Sequence, residues 1–280
     1  MSKKARRADV VNPVEQRQQA PGPRPRPRQR RTRRSALLQV GVGVVAIAIL
    51  VGSFVYYSLG HSSGGVAIAA SADLGTMTAD TPTSPTGNFT PVSAPLRSGQ
   101  KPVLLFVGAQ WCPYCAAERW SIVKALARFG SWSGLTIGQS TDRKGGFGVV
   151  PTYGLTTATF SSPYVAYEGK ELQDNSSATL QSLTASEQAL VDRYDSKGSL
   201  PMVYVDGYAM VGAGYTPTGI QGQAFSAIQS QLQRGSSAAS IEPINAEANL
   251  LTAMLCKADG DRPGTACSNA TIQAIEQGLQ

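Results

Sequence analysis

The clearest hydrophobic pattern in the chain runs from residue 101 to residue 139. Residues 102–107 form a continuous apolar run, which is typical of a strand buried on both faces. A helical pattern follows and extends to Phe129, with apolar residues on one side and Gly130 as its C-terminal stop. Residues 135–139 return to a strand pattern, so this part of the chain predicts a β-α-β unit.

Beyond residue 139 the pattern predicts further strands and helices. The predicted elements are a Gly-rich loop at 143–151, edge or hairpin strands at 157–165 and 167–172, a helix from the capping box of Thr184 and Glu187 to about Tyr194, a hairpin of 202–205 and 208–211 around Asp206 and Gly207, and helices at 220–233, at 241–256 and after Cys267. We expect residues 140–199 to cover a sheet face or to shape a substrate groove.

Charge is distributed unevenly along the chain. Residues 1–35 carry twelve Lys and Arg against two acidic residues, a net charge of +10, whereas the rest of the chain has a net charge of −3. A basic tail on a mildly acidic body does not indicate a nucleic-acid partner. The Pro- and Arg-rich composition of the tail cannot build a core, so we expect a disordered cytoplasmic segment.

Residues 36–60 are uncharged and long enough to cross a lipid bilayer, which takes about 20 apolar residues. Tyr56 and Tyr57 near the far end suit the membrane interface, and the basic block before the span orients it with residues 1–35 in the cytoplasm. We therefore expect a single transmembrane helix that serves as an uncleaved signal anchor in the cell membrane.

A cleaved export signal is the alternative for this segment. Arg33 and Arg34 weakly resemble a twin-arginine signal, and residues 67–69 or 70–72 could serve as a small-residue cleavage site. In either case residues 61–99, rich in Gly, Ser, Thr and Pro, predict a flexible stem. Residues 100–280 then form an extracytoplasmic domain.

Cys112 and Cys115 open the helix that follows the first predicted strand. At the N-cap, unpaired N–H groups and the helix dipole stabilise an anion, which lowers a thiol pKa from about 8.5 to about 3.5–7.5. Pro113 suits the first helical position because that position has no intrahelical use for its N–H. We therefore expect Cys112 to be the reactive thiolate and Cys115, one turn inside, to resolve a mixed disulfide.

Other interpretations of this cysteine pair are a zinc site and a structural disulfide. His61 is the only histidine in the chain, and Cys256 and Cys267 lack the short spacing usual for zinc ligands. A disulfide between Cys112 and Cys115 would close too small a loop to gain much chain entropy. We expect no metal and no organic cofactor. The absence of histidine from the body also excludes Ser-His-Asp and Cys-His nucleophiles there.

Two segments carry a resemblance to a known superfamily. Residues 106–115, FVGAQWCPYC, resemble the active-site strand and turn of thioredoxins, and residues 199–207, SLPMVYVDG, resemble the segment in which a cis-proline faces the redox pair. More closely, WCPYCAAERW, the later SSPYVAYE and the two-Cys tail are similar to the thioredoxin-like "domain of unknown function 929" family. The resemblance implies an α/β, thioredoxin-like fold with an insertion and a C-terminal helical hairpin.

The same resemblance implies roles for individual residues. Pro201 would be the cis-proline that keeps a substrate chain beside the cysteines, and Leu200 would offer backbone groups to it. Trp111 and Tyr114 would form an apolar docking rim. Many thioredoxins have a buried Asp where this chain has Phe106. Glu118, one turn along the helix, would replace that carboxylate through water.

These observations favour a membrane-tethered thiol–disulfide oxidoreductase that acts on exported protein thiols or disulfides and is recycled by a membrane redox partner. Disulfide formation or isomerisation is favoured over reduction. The alternatives are a redox-inactive binding module and an electron-delivery reductase for one membrane partner. In an oxidising compartment Cys256 and Cys267, which bracket a turn between helices, predict a structural disulfide. The alternative for them is a second redox pair.

Overall fold

The computed structural model describes residues 88–93, 95–141 and 146–279. They form a mixed α/β domain with a central mixed sheet and C-terminal helices. The predicted cytoplasmic tail (1–35), membrane span (36–60) and most of the stem (61–99) lie outside the described residues, as does part of the Gly-rich loop. Within those residues, no helix combines the length and apolarity that crossing a membrane requires.

The strands and helices are as follows in chain order. The strands are β1 (Thr90–Pro91), β2 (Arg97–Ser98), β3 (Lys101–Gly108), β4 (Ser131–Ser133), β5 (Thr136–Gln139), β6 (Pro151–Gly154), β7 (Thr159–Ser161), β8 (Ala166–Glu171), β9 (Met202–Val205) and β10 (Tyr208–Val211). The helices are α1 (Pro113–Leu126), α2 (Ala185–Tyr194), α3 (Phe225–Gln233), α4 (Glu242–Asp259), α5 (Gly264–Cys267) and α6 (Ala270–Gly278).

Strand β3 lies at the centre of the main sheet, and its predicted burial is confirmed. It pairs in parallel with β8 and antiparallel with β9, while β10 and β1 extend the sheet beyond β9. Leu104 and Phe106 belong to the core cluster that includes α1 and α4. Val103, Leu105 and Val107 belong to a second cluster on the side of α2. Cores on both faces explain why this strand is apolar at every position from Pro102 to Val107.

Helix α1 packs on the first face and is almost completely buried. Trp120 is its largest buried side chain, with its ring 4.6 Å from that of Tyr153 and 4.8 Å from that of Phe225. The helix ends at Leu126, so the prediction that it reaches Phe129 is wrong by one turn. Gly130 is needed for a different reason, because a Cβ there would lie 2.2 Å from the Ser161 carbonyl oxygen.

The predicted β-α-β unit has the wrong second strand. Residues 136–139 form β5, which pairs antiparallel with β6 in a separate two-stranded sheet. The parallel partner of β3 is β8, whose sequence AYEGKE carries three charged residues. Strand β5 alternates half-buried and exposed positions, as expected of a strand in a two-stranded sheet with one face open to solvent.

Other predicted elements are confirmed or shortened. The capping box is present, with the Glu187 N–H donating to Thr184 Oγ1 and the Thr184 N–H donating to Glu187 Oε2. The β9–β10 hairpin also forms as predicted. The segment 157–165 is a strand only at β7, which pairs with β4. The helix expected from residue 220 begins at Phe225, because Gly222 adopts a φ of +69° that ends any helix before it.

The C-terminal helices form the predicted stapled hairpin. Helix α4 ends where Gly260 adopts a left-handed φ of +69°, and Cys256 near that end is disulfide-bonded to Cys267 in α5. Both cysteines are buried among apolar residues of the first core. The disulfide therefore joins the two sides of the turn inside the packed helical layer.

Replacing Cys256 and Cys267 together by serine should destabilise the domain by about 2–4 kcal/mol, since the unfolded chain then loses a closed loop. Denaturant unfolding measures this change. The alkylation rate of Cys112 in the folded protein should remain that of the parent. Loss of disulfide-exchange turnover without loss of stability would instead indicate that this pair relays electrons.

Candidate functional site

Cys112 occupies the N-cap of α1, as the sequence predicts. Its Sγ accepts a hydrogen bond from the Cys115 backbone N–H at 3.2 Å, and Pro113 begins the helix. The first turn of α1 carries no acidic residue to oppose a negative charge at this end. Cys112 is 4% exposed, whereas Cys115 is completely buried. Both are free thiols in the structure.

The two thiols differ strongly in their tendency to ionise. The hydrogen bond from the Cys115 thiol, followed by the Cys115 N–H and the charge of Arg119, lowers the pKa of Cys112 against the opposing effect of burial. Burial raises the pKa of Cys115 well above its ordinary value, and the neighbouring Cys112 raises it further. A thiolate at this site therefore forms first on Cys112.

A groove of about 820 Å³ opens beside Cys112. Leu200 also lines this groove, the peptide bond between Leu200 and Pro201 is cis, and the Leu200 carbonyl oxygen lies 3.8 Å from Cys112 Sγ. The groove is lined by both apolar and polar side chains, among them Val107, Trp111, Tyr114, Phe147, Leu172, Gln173, Gln181, Asp195 and Lys197. The structure thus brings residues 111–114 and Leu200 together at one opening.

The rim of this groove includes a segment whose role the sequence left open. Trp111 is half-buried, and its Nε1 donates to Gln173 Oε1 at 2.9 Å. Tyr114 is 36% exposed, and its ring meets that of Phe147 edge-on with centroids 5.1 Å apart. Residues before β8, between β8 and α2, and after α2 in the chain therefore complete the groove. Shaping a groove is one of the two roles expected of residues 140–199.

Glu118 lies against the loop that contains Gly214. Its side chain is completely buried, and Oε2 accepts a hydrogen bond from the Gly214 N–H at 3.3 Å. Burial raises the pKa of Glu118 to about 8. Gly214 also approaches Glu247 so closely that a Cβ there would lie 2.2 Å from Glu247 Oε2. The carboxyl is therefore engaged with the loop before Tyr215.

Arg119, the residue after Glu118, supplies the charged group that adjoins the cysteines. The sequence patterns did not indicate this role. Arg119 makes two hydrogen bonds of 2.8 Å to Glu171, and its Nη2 also donates to the Ala109 carbonyl oxygen at 2.9 Å. Both ionic side chains are only 2% exposed. The i,i+4 spacing of Cys115 and Arg119 was a visible signal, but the β3–β8 pairing that delivers Glu171 was not.

The ion pair of Arg119 and Glu171 also lines a second cavity of about 350 Å³, together with polar residues that include Gln110, Thr152 and Asn175. Among the described residues, no cluster of three or more His, Cys, Asp or Glu side chains is arranged to hold a metal ion. The chemistry that the described site offers is that of two thiols with unequal pKa values.

Comparison with known proteins identifies one family. No curated protein and no solved structure matches the chain. Residues 88–257, more than half of the chain, match the family described as Domain of unknown function (DUF929). This stretch contains both cysteines of the candidate site, the Leu200–Pro201 segment and Cys256. The chain therefore belongs to the DUF929 family.

Proposed function

We propose that this chain is a membrane-anchored, extracytoplasmic thiol–disulfide oxidoreductase with a thioredoxin-like fold. The observation that carries the proposal is the pairing of Cys112 at a helix N-cap with the Leu200 carbonyl oxygen 3.8 Å from its Sγ, beside an open groove that both residues line. The parallel β3–β8 pair, the antiparallel β9–β10 hairpin and the cis-proline at 201 support the fold assignment. Residues 36–60 would supply the anchor.

In the oxidising direction, a substrate thiolate attacks Cys112 Sγ of the Cys112–Cys115 disulfide. The bond between the two sulfurs breaks, and Cys115 leaves as a thiolate. Because the pKa of Cys115 is raised, this thiolate then takes up a proton. A second substrate thiolate then attacks the substrate sulfur of the mixed disulfide and releases Cys112 as a thiolate. The substrate dithiol has lost two electrons and two protons, and a membrane partner recycles the cysteines by accepting those electrons.

Disulfide formation or isomerisation remains the favoured direction in exported proteins. The effects that lower the pKa of Cys112 stabilise the reduced form of the site, and a stabilised reduced form makes a disulfide more oxidising. Pro113 and Tyr114 between the cysteines are compatible with an intermediate potential. Glutaredoxins lie near about −200 to −230 mV and protein disulfide isomerase near about −180 mV.

A redox-inactive binding module is the second candidate function. The observation that favours it is the size of the groove together with the exposed ring of Tyr114 and the half-buried ring of Phe147 that line it, which can hold a peptide without any exchange. Binding and catalysis differ in their dependence on Cys112.

The test uses the full chain, purified in detergent, in two assays: refolding of reduced ribonuclease with glutathione present, and reduction of insulin. We expect catalysis in at least one assay and its loss, on the order of 1000-fold, in Cys112→Ser, because the attacking sulfur is gone. Unchanged binding of a model peptide by the same variant controls for folding. A parent protein that binds but never accelerates exchange would favour the binding module.

A further inference from the structure

The ion pair of Arg119 and Glu171 lies directly beneath the cysteines. Cys115 and Arg119 are one turn apart on the same face of α1. Glu171 is the parallel partner of Gly108 in the sheet, and a Cβ on Gly108 would lie 3.3 Å from Cys115 Sγ. Paired residues of adjacent strands point to the same face, so the Glu171 side chain rises beside the Cys115 sulfur.

Such a pair is costly to bury. Taking both charges out of water costs several kcal/mol for each, and two apolar residues of similar volume often serve stability equally well. Each of the two side chains is only 2% exposed. The Arg119 guanidinium also donates a hydrogen bond to the carbonyl oxygen of Ala109, three residues before Cys112. Stability alone is therefore a weak reason for placing charges at this point.

We propose that Arg119 and Glu171 are positioning residues that act as an opposed charge pair on the redox cysteines, Arg119 favouring the thiolate and Glu171 restraining it. This inference rests on the proposed function and adds to it the groups that set the reactivity of the site. The electrostatic effects agree with the geometry: Arg119 lowers the pKa of both thiols, and Glu171 raises that of Cys115.

Among the residues that the structure describes, few other ionisable groups face this site. Tyr167 lies on β8 with its hydroxyl buried, and burial raises its pKa further from neutrality. Asp195 and Lys197, on the segment after α2, line the groove beside Cys112. Glu118 on α1 is held by the Gly214 loop. Arg119 and Glu171 are thus the buried charges that the elements around Cys115 bring to it.

The test measures the rate of alkylation of Cys112 against pH in the reduced full chain, which reports the thiolate fraction directly. Glu171→Gln leaves the charge of Arg119 uncompensated. At pH values below the midpoint of the alkylation profile, it should raise the alkylation rate of Cys112 on the order of threefold to tenfold. Arg119→Met leaves Glu171 uncompensated and should lower the rate by a similar factor, since one pKa unit is about tenfold. Shifts of opposite sign are the expected signature.

A merely structural ion pair would behave differently. Both variants would then lose stability, and their alkylation profiles would stay unchanged or move in the same direction, which would overturn the proposal. The double variant Arg119→Met/Glu171→Met covers the case in which a single variant does not fold, because neither charge of the pair is left buried without its partner. It should alkylate more slowly than the parent, since Arg119 acts on both thiols. A rate equal to that of the parent would also overturn the proposal.

Arg128→Met is the matched control. Arg128 is a half-buried arginine two residues beyond the end of α1, and its hydrogen bonds go to Thr252 and Asn249 on α4. Its removal should cost stability and leave the alkylation profile unchanged. Alkylation requires no turnover. The charge effect can therefore be established or refuted even if the parent protein fails the exchange assays. Failure of the proposed function is thereby distinguished from failure of this inference.

Discussion

Replacing Cys115 by serine should trap a mixed disulfide between Cys112 and a disulfide-containing substrate. Cys112 still has its place at the N-cap and can attack, but the buried sulfur that would expel the substrate is absent. Release should slow on the order of 1000-fold or more, as expected when an attacking nucleophile is removed. Scrambled ribonuclease is a suitable substrate, and the adduct is measured on a non-reducing gel after acid quenching.

Cys112→Ser is the matched variant for this experiment, because it removes the sulfur that opens onto the groove and keeps the buried one. It should form no adduct. The adduct of Cys115→Ser should also disappear on treatment with excess dithiol. If the Cys112→Ser variant accumulated the adduct and the Cys115→Ser variant did not, the two cysteines would have the reverse of the assigned roles.

Trp120→Ala should destabilise the domain by about 3–5 kcal/mol, which is a large part of the stability of a typical domain. The side chain is fully buried between Tyr153 and Phe225, and its Nε1 donates to the Pro151 carbonyl oxygen at 2.9 Å. Truncation leaves a cavity and an unsatisfied buried acceptor. Urea unfolding followed by circular dichroism measures the change.

Trp111→Ala tests the same residue type at the groove rim. Trp111 is half-buried, so its loss should cost the fold much less than the loss of Trp120, while it should weaken peptide binding at the groove. Equal destabilisation by the two variants would contradict the assignment of Trp111 to the rim and of Trp120 to the core.

The local patterns of this chain predicted its structure well wherever neighbouring residues decide it. The burial of β3, the N-cap at Cys112, the capping box at Thr184 and the β9–β10 hairpin each follow from a few adjacent residues. The prediction of an edge strand at 167–172 is confirmed by β8, which pairs only with β3 among the described strands, but no local pattern indicates that β3 is its partner. The burial of Glu171, the last residue of β8, depends on Arg119, which is 52 residues away in the chain.

The candidate site was predictable to the same extent. Cys112, Pro113 and the cis bond at Pro201 are where the sequence and the resemblance put them. The Gln173 bond to Trp111 and the ring of Phe147 against Tyr114 depend on how residues 140–199 fold back, which no local pattern reveals. For the same reason sequence spacing drew attention to Glu118, whereas Arg119 is the residue that the fold turns toward the cysteines.

The disulfide at the C-terminal hairpin has a practical consequence for protein engineering. The family match ends at residue 257, one residue after Cys256, while its bonded partner Cys267 lies beyond that end. A fragment trimmed to the matched span would therefore carry three thiols instead of two. Its unpaired Cys256 would compete for alkylating reagents, link molecules into covalent dimers and add a third thiol to every thiol titration. Fragments meant for alkylation or exchange assays should therefore extend past Cys267.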